Sequence, residues 1–518
     1  MPSDAAGERS FDVIVVGSGI GGLAAALHAA VLGRRVLVLE AARELGGLVA
    51  PFRRGAYRFD TGLHYLGECG PGQGFSRVLE ALGLADELRF RELSPDGFDR
   101  LVFPGYEIAV PRGADRYRDR LAADFPRERP GLDAFFEHLR AFREASAGWT
   151  ELRPGAAYPR FFVEHARATY GQLLDGLIRD PLLKAVLSAQ GGNYALPPGK
   201  ASALTGLGTL DHYLGGAYFP CGGSGALRDA FVRGIERRGG VLRKGRAVAR
   251  ILVRRGRVEG VRCADGEVFS AAAVISNVDA AVTYLDLLGA EEVPGRERAR
   301  ASRSRPSLGA VTVFLGTSLD LAAAGMTDAN VWHFASADID RAYEPVFAGA
   351  LPAQDSFFLS SPSLKDPVPG GRHTLVLSTV VPYEPFARWS GARSMRRGPA
   401  YEAFKQQLLD RYLGGVERYV PGIRGHLDHV EVATPLTSVS YTAAPRGGMY
   451  GPEHTPDQVG AFRHRIQGAI PGLYLCGAST LGAGVVVSAV SGFLAGAMAA
   501  GTTPGLLPPA SSLDAERR

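Results

Sequence analysis

Residues 13–40 read VIVVGSGIGGLAAALHAAVLGRRVLVLE, and the order of features in this stretch decides the fold. Val13, Ile14, Val15 and Val16 are four β-branched apolar residues in a row, which predicts a buried strand. Gly17, Gly19 and Gly22 follow in G-x-G-x-x-G spacing. A helix-like run ends at Gly33, a second apolar strand starts at Val36, and Glu40 closes it. The first glycine permits a tight turn, the second lets a pyrophosphate approach the backbone, and the third lets helix and strand pack closely. The phosphates would sit on the positive end of the helix dipole. Glu40 stands 23 positions after Gly17, where an acid accepts hydrogen bonds from a ribose hydroxyl. The sequence of strand, glycines, helix, strand and acid predicts a dinucleotide site, with NAD and FAD both open.

A membrane span is the competing reading. Residues 13–33 carry no Asp, Glu, Lys or Arg and are long enough to cross a bilayer. A longer uncharged run lies between Arg465 and Asp514. The first run, however, holds five glycines and divides into strand and helix, and the second is interrupted by Pro471, Gly477, Gly482 and Gly484. Asp4, Glu8 and Asp12 precede the first run with Arg9 as the only base, the wrong flank for a signal peptide. Both runs therefore read as core of a large α/β protein. The chain reads as cytoplasmic, without signal peptide or transmembrane helix, and membrane association is left to its surface.

The length of 518 residues suggests several domains or two large ones. Formal net charge is +5, and only five of the 58 basic residues are lysine. Genomic base composition accounts for that bias; an arginine-bearing surface near anionic lipid is the alternative. No nucleic-acid motif is present. Cys69, Cys221, Cys263 and Cys476 are scattered, so neither a zinc site nor a disulfide framework is expected, and no metal-ligand cluster is evident.

Along the chain, residues 1–10 read as a mobile N terminus. Residues 11–70, 218–280 and 450–501 read as one discontinuous nucleotide-binding domain. Residues 71–217 read as a mostly helical or substrate region, with a broad apolar face between Phe161 and Val186 that is either core or a surface for membrane or lipid-like substrate. Residues 281–449 read as a sheet-bearing substrate domain, and 502–518 as a flexible tail. AARELGG follows Glu40, setting Gly46 and Gly47 close to the acid. FRRGAYRFDTGLHYLGE then carries Asp60, Thr61, Gly62, His64 and Tyr65 in a short loop after a strand.

These motifs resemble the FAD-dependent amine-oxidase and phytoene-desaturase superfamily. Within it the chain is most similar to the branch holding retinol saturase, carotenoid isomerase and bacterial phytoene desaturases. The likeness rests on FDTGLHYLG, FPCGGSGALRDAF, the strand set ending AVISNVD, ATPLTSVSYTAAPRGGMYG, and GLYLCGASTLGAGVVVSAVSG, spanning residues 11–500. It implies an α/β fold: a Rossmann-like FAD-binding domain of the GR2 type, an interleaved α+β substrate domain and a helical subdomain. It further implies FAD contacts at Gly17, Gly19, Ile20, Gly22, Glu40, Gly46, Gly47, Leu48, Thr61, Gly62, Leu63 and His64. Val248, Asn277, Gly477, Ala478, Ser479, Gly484, Val485 and Val486 complete that set. The helix starting near Ala483 would aim its positive end at the flavin N1/O2 edge.

The chain departs from the superfamily pattern twice. Leu48 stands where many relatives carry a base, and Ala478 and Ser479 stand where many carry an Asp. The ribityl contact then falls to Ser479 or to backbone N–H groups. No second G-x-G-x-x-G follows a strand, so NAD(P)H is expected only as a transient reductant visiting the flavin pocket. The resemblance implies an oxidoreductase acting on C=C bonds of a long apolar polyene, a retinoid or carotenoid, in the saturase direction. Desaturation, redox-neutral cis–trans isomerisation and amine oxidation are the alternatives, as is a lipid-binding protein without flavin. Hydrogen addition needs a hydride at flavin N5 and usually a proton donor opposite it; His64, Tyr65 and Tyr441 are the candidates.

Overall fold

The opening motif folds as its spacing predicts. In the computed structural model, which describes residues 9–147, 159–367, 371–391 and 396–502, Ser10–Val16 is a strand, Ile20–Val31 a helix and Val36–Leu39 a second strand parallel to the first. Side chains alternate across these strands. Val13, Val15, Val36 and Val38 enter one core with the helices, while Ile14, Val16, Leu37 and Leu39 enter another. Residues 1–8 and 503–518, most of the expected mobile terminus and tail, lie outside the described residues.

Seven strands build the first sheet. Its order is Val248–Arg254, Arg257–Cys263, Val268–Ser276, Ser10–Val16, Val36–Leu39 and Val241–Arg243, with Leu473–Leu475 beside the end of Val268–Ser276. The strands next to Ser10–Val16 run parallel to it, and the 248–276 segment is an antiparallel meander turning at Arg255 and Gly256, both with positive φ. The C-terminal strand is followed by the helix Val485–Ala499, which lies against Ile20–Val31. A Cβ on Gly492 would stand 1.9 Å from the Gly21 carbonyl oxygen, so the two helices approach at backbone distance. His28 adds a lock: its Nδ1 lies 2.6 Å from the Phe493 carbonyl oxygen and its ring stacks on Phe493 at 3.8 Å. The two long uncharged runs are thus adjacent core segments. Among the described residues, no helix is long and apolar enough to cross a membrane.

A second seven-stranded sheet follows the order Leu427–Ala433, Gly309–Thr317, His373–Val381, Phe357–Ser360, Asn330–His333, Asp99–Phe103, Tyr106–Val110. Its last two strands add a hairpin to the mostly helical region 71–217. They form a hairpin that turns at Pro104-Gly105 and joins this sheet, pairing parallel with Asn330–His333. Its signal was local: alternating burial in DRLVF on one side of a Pro-Gly pair. One face of the sheet is covered by the helix Pro399–Glu417. On the other, Phe314 and Val376 meet Tyr57 and Phe59, and Trp332 and Phe358 join the main core with Tyr65. The second sheet therefore backs the segment 57–65. The 161–186 face turns largely inward, with Phe162, Tyr170, Leu174, Ile178, Leu183 and Val186 buried, while Val163 is 62% exposed.

Candidate functional site

The site forms where the parallel strands end. Gly17 has φ +91°, and Gly22 sits so close to it that a Cβ there would lie 2.1 Å from the Gly17 carbonyl oxygen. Gly19 precedes the helix and supplies no side-chain cap, so the first-turn N–H groups of Ile20, Gly21 and Gly22 have no side-chain acceptor from it. Asn277 sits against this glycine loop. Its backbone N–H donates to Val16 O at 2.9 Å, and its amide lies where Cβ atoms on Gly19, Gly21 or Gly477 would collide with it.

Glu40 follows the second strand. Its carboxylate accepts from Ser18 N at 2.8 Å, Ser18 Oγ at 2.7 Å and Ala42 N at 2.8 Å, and Ser18 Oγ in turn accepts from Gly46 N at 3.0 Å. Ser18 was not singled out in the sequence, since it fills a variable position of the motif. It ties the acid to the Gly46-Gly47 turn, where both glycines have positive φ. Leu48 is 42% exposed. Thr61 Oγ1 stitches the next loop to this turn, donating to Leu48 O at 2.9 Å and lying 3.0 Å from Ala50 O. Gly62 lies against Leu48, and Leu63 is buried.

At the C-terminal end, Gly477 N donates to Ser491 Oγ at 2.8 Å. The Ala478 carbonyl accepts from the buried Arg463. Ser479 Oγ accepts from Ala280 N at 3.0 Å, so its hydroxyl is engaged by the turn after Val268–Ser276. Gly484 precedes Val485–Ala499 with φ +98° and again no side-chain cap; Val486 is buried. The helix starts two residues later than Ala483. Val248 opens the outermost strand of the meander, half-buried.

The loop 60–65 is held by buried polar groups from three elements. Asp60 Oδ1 accepts from Ser224 N at 2.7 Å and Ser224 Oγ at 2.5 Å, at the start of the helix Gly223–Glu236. Burial pushes its carboxyl above the usual carboxylate range despite these bonds. His64 is half-buried; its Nδ1 is shielded and has no hydrogen-bond partner within the protein. Burial, then the charge of Lys365, pull its pKa down to about 3, so the ring is neutral at physiological pH. Tyr65 is buried and donates its hydroxyl to Asp99 Oδ2 at 3.1 Å; burial and that carboxyl push the phenol well above its usual value. Tyr441, the third candidate, is 61% exposed on the helix Pro435–Thr442, outside this buried group.

Lys365, Asp99 and Asn330 were missed by the sequence reading. Nothing in SSPSLKDPV marks a lysine as interior, yet Lys365 is fully buried. Its Nζ donates to His64 O at 2.7 Å, Ser360 Oγ at 2.7 Å and Asn330 Oδ1 at 2.5 Å. Asn330 passes the link on, donating Nδ2 to Asp99 Oδ1 at 2.8 Å.

The donor set suits a flavin dinucleotide. Two uncapped helix N termini offer backbone N–H groups and positive dipole ends, suited to pyrophosphate and to an electron-rich ring edge. Glu40 retains lone pairs for a ribose, and the His64 Nδ1 lacks a protein partner. Among the described residues no metal-binding cluster competes for the site.

Comparison with known proteins shows the family and the fold. The family described as flavin containing amine oxidoreductase matches residues 20–495. Human all-trans-retinol 13,14-reductase is 30% identical over 92% of this chain and 83% of its own length. Chloroplastic prolycopene isomerase of Arabidopsis thaliana is 28% identical over 94% of this chain and 83% of its own. Among solved structures, an oxidoreductase from Methanosarcina mazei has a TM-score of 0.63 at 15% identity, covering 93% of this chain and 98% of that one. A putrescine oxidase double mutant has a TM-score of 0.63 at 16% identity, covering 95% and 99%. At those identities the structures speak for the fold alone, and the family match carries the flavin chemistry. The chain belongs to the flavin containing amine oxidoreductase family.

Proposed function

We propose that the protein is an FAD-dependent oxidoreductase that adds hydrogen across a C=C bond of a long apolar polyene, a retinoid or carotenoid. The observation that carries this reading is the 30% identity, over 92% of the chain, to human all-trans-retinol 13,14-reductase. When bound, FAD would supply redox chemistry at its N5 position. The chain would hold it with the N–H groups of Ile20 to Gly22, with Glu40, and with the turns at Gly46-Gly47 and Gly477 to Ser479.

The protein's own part is to enclose, orient and manage a proton. His64 presents a neutral imidazole that serves as hydrogen-bond donor or acceptor rather than as an acid near neutral pH. The Tyr65 hydroxyl donates its one proton to Asp99 and accepts from Asn193, so the ring is held in place by hydrogen bonds on both sides of its oxygen. Burial and the Asp99 carboxyl push that phenol well above its usual range, so Tyr65 orients the loop and holds its proton tightly.

Redox-neutral isomerisation is the second reading, favoured by the 28% identity to prolycopene isomerase. NAD(P)H as transient reductant and peripheral membrane contact belong to this proposal too. The test is anaerobic incubation of the flavin-loaded protein, in its reduced and in its oxidised form in parallel, with all-trans-retinol and with a carotenoid, followed by mass analysis. Gain of two hydrogens with the reduced form is the expected result. Unchanged mass with altered retention selects isomerisation, and loss of two hydrogens with the oxidised form selects desaturation. Peroxide release from amines in air, with every polyene untouched, overturns the polyene reading.

A further inference from the structure

We propose that Lys365 is the positioning residue of the site: from the second sheet it locks the loop Asp60–Tyr65 and so sets the direction in which His64 and Tyr65 face the flavin. The proposal deepens the function above and rests on that reading for its catalytic consequence.

The geometry is a closed circuit around two consecutive loop residues. Lys365 Nζ holds the main-chain oxygen of His64, and Asp99 holds the side-chain oxygen of Tyr65. Asn330 joins the two anchors, accepting from Lys365 and donating to Asp99. Gln190 Nε2 donates to Asp99 Oδ2 at 2.8 Å, and Asn193 Nδ2 donates to Tyr65 Oη at 3.2 Å, which fixes the far side. An ammonium has three donors, and Lys365 meets three acceptors, so its hydrogen-bonding capacity is filled. Its neighbour in sequence repeats the design. Asp366 Oδ2 accepts from Arg58 at 3.0 Å and from Gly222 N at 2.8 Å, at the strand leading into the same loop. Adjacent residues of one turn therefore clamp both ends of the segment 58–65.

Burying an ammonium is costly unless it is fully paired, so a lysine with 0% exposure signals a constraint worth that cost. An apolar residue would fill the same space without desolvation, but it would leave the His64 carbonyl free to turn. Lys365 Nζ bonds the main-chain oxygen of His64, so the lysine acts through the backbone of the loop.

The experiment compares wild type, Lys365→Met, Lys365→Arg and the milder Ser360→Ala, all FAD-loaded, by hydrogen exchange across residues 57–66 and by steady-state kinetics. Lys365→Met is expected to bind FAD, to raise exchange in 57–66 above that in the Gly17–Gly22 segment, and to lower kcat on the order of 10²-fold with KM little changed. Lys365→Arg should restore part of both effects. Ser360→Ala should shift both in the same direction by less, and it decides the matter if Lys365→Met does not fold. Wild-type exchange in 57–66, or uniform loosening of the whole protein with an unchanged kcat, overturns the proposal. Failure of the function reading shows separately, as wild type that turns over no polyene; the exchange comparison still decides the role of Lys365.

Discussion

Glu40 and Lys365 are two polar side chains on which the site depends, and their environments set different expectations. Glu40 organises Ser18 and Ala42 through three hydrogen bonds to an ionised carboxylate, a class worth about 1.5–3 kcal/mol each before non-additivity. Glu40→Ala leaves two backbone donors without their acceptor and removes the ribose contact. FAD affinity should fall on the order of 10²-fold, measured by flavin fluorescence titration, with Glu40→Gln in between. Unchanged affinity would remove Glu40 from the cofactor site. Lys365 instead titrates: burial pulls its pKa from 10.5 down to about 7, against the opposing pull of Asp99, Asp328 and Asp60. Between those values the unfolded chain holds a proton that the folded protein has released. Stability contributed by this group therefore rises with pH from about 7 to about 10.5, by at most about 1.4 kcal/mol per unit. The difference in unfolding free energy between wild type and Lys365→Met, from urea titrations at several pH values, should grow in favour of wild type across that window. A difference independent of pH would mean that the folded-state lysine titrates normally.

At the scale of elements, the contact between Ile20–Val31 and Val485–Ala499 brings the two ends of the described chain together. Its closeness comes from glycine: besides Gly492 against Gly21, a Cβ on Gly496 would stand 2.5 Å from the Ala25 carbonyl oxygen. Neither neighbour is a flexible side-chain tip, so the helices themselves must separate to admit a methyl group. Gly492→Ala should destabilise by about the 1–3 kcal/mol typical of overpacking and lower the thermal midpoint by about 1–3 degrees. Because Gly21 lies in the cofactor turn, flavin affinity should fall as well. Gly295→Ala is the control: nothing lies within 4 Å of its added Cβ, and alanine is the better helix former. Equal behaviour of the two variants in a thermal melt would refute this account of the helix pair.

For the whole molecule, what was legible in the sequence is what local pattern encodes. The first strand, glycine turn, helix and second strand were readable because period, glycine spacing and terminal acid all lie within 28 residues (Val13 to Glu40). The meander at 248–276 announced itself by its turns. The hairpin at 99–110 carried a local mark in its Pro104-Gly105 turn, but the strand it joins, Asn330–His333, lies more than 200 residues away, and pairing at that range is not encoded in local pattern. Lys365 and Asp99 escaped for the same reason: their burial is set by tertiary partners, and as residue types they belong on surfaces. The cofactor site spans this same range, taking its N–H groups from residues near 20, its acid at 40, and its second helix after 484. Binding that bridges segments so far apart stabilises the fold as a whole, by RT ln(1 + [L]/Kd), or about 2.7 kcal/mol at a hundredfold excess over Kd. Stripping FAD at low pH in high salt and restoring it should therefore move the thermal midpoint by a few degrees in each direction, followed by differential scanning fluorimetry on intrinsic tryptophan. Adenosine diphosphate, which occupies the pyrophosphate and ribose half alone, should recover part of that shift. If neither ligand moves the transition, the glycine edge does not hold a dinucleotide, and the assignment of Ile20 to Gly22 and Glu40 to cofactor binding fails with it.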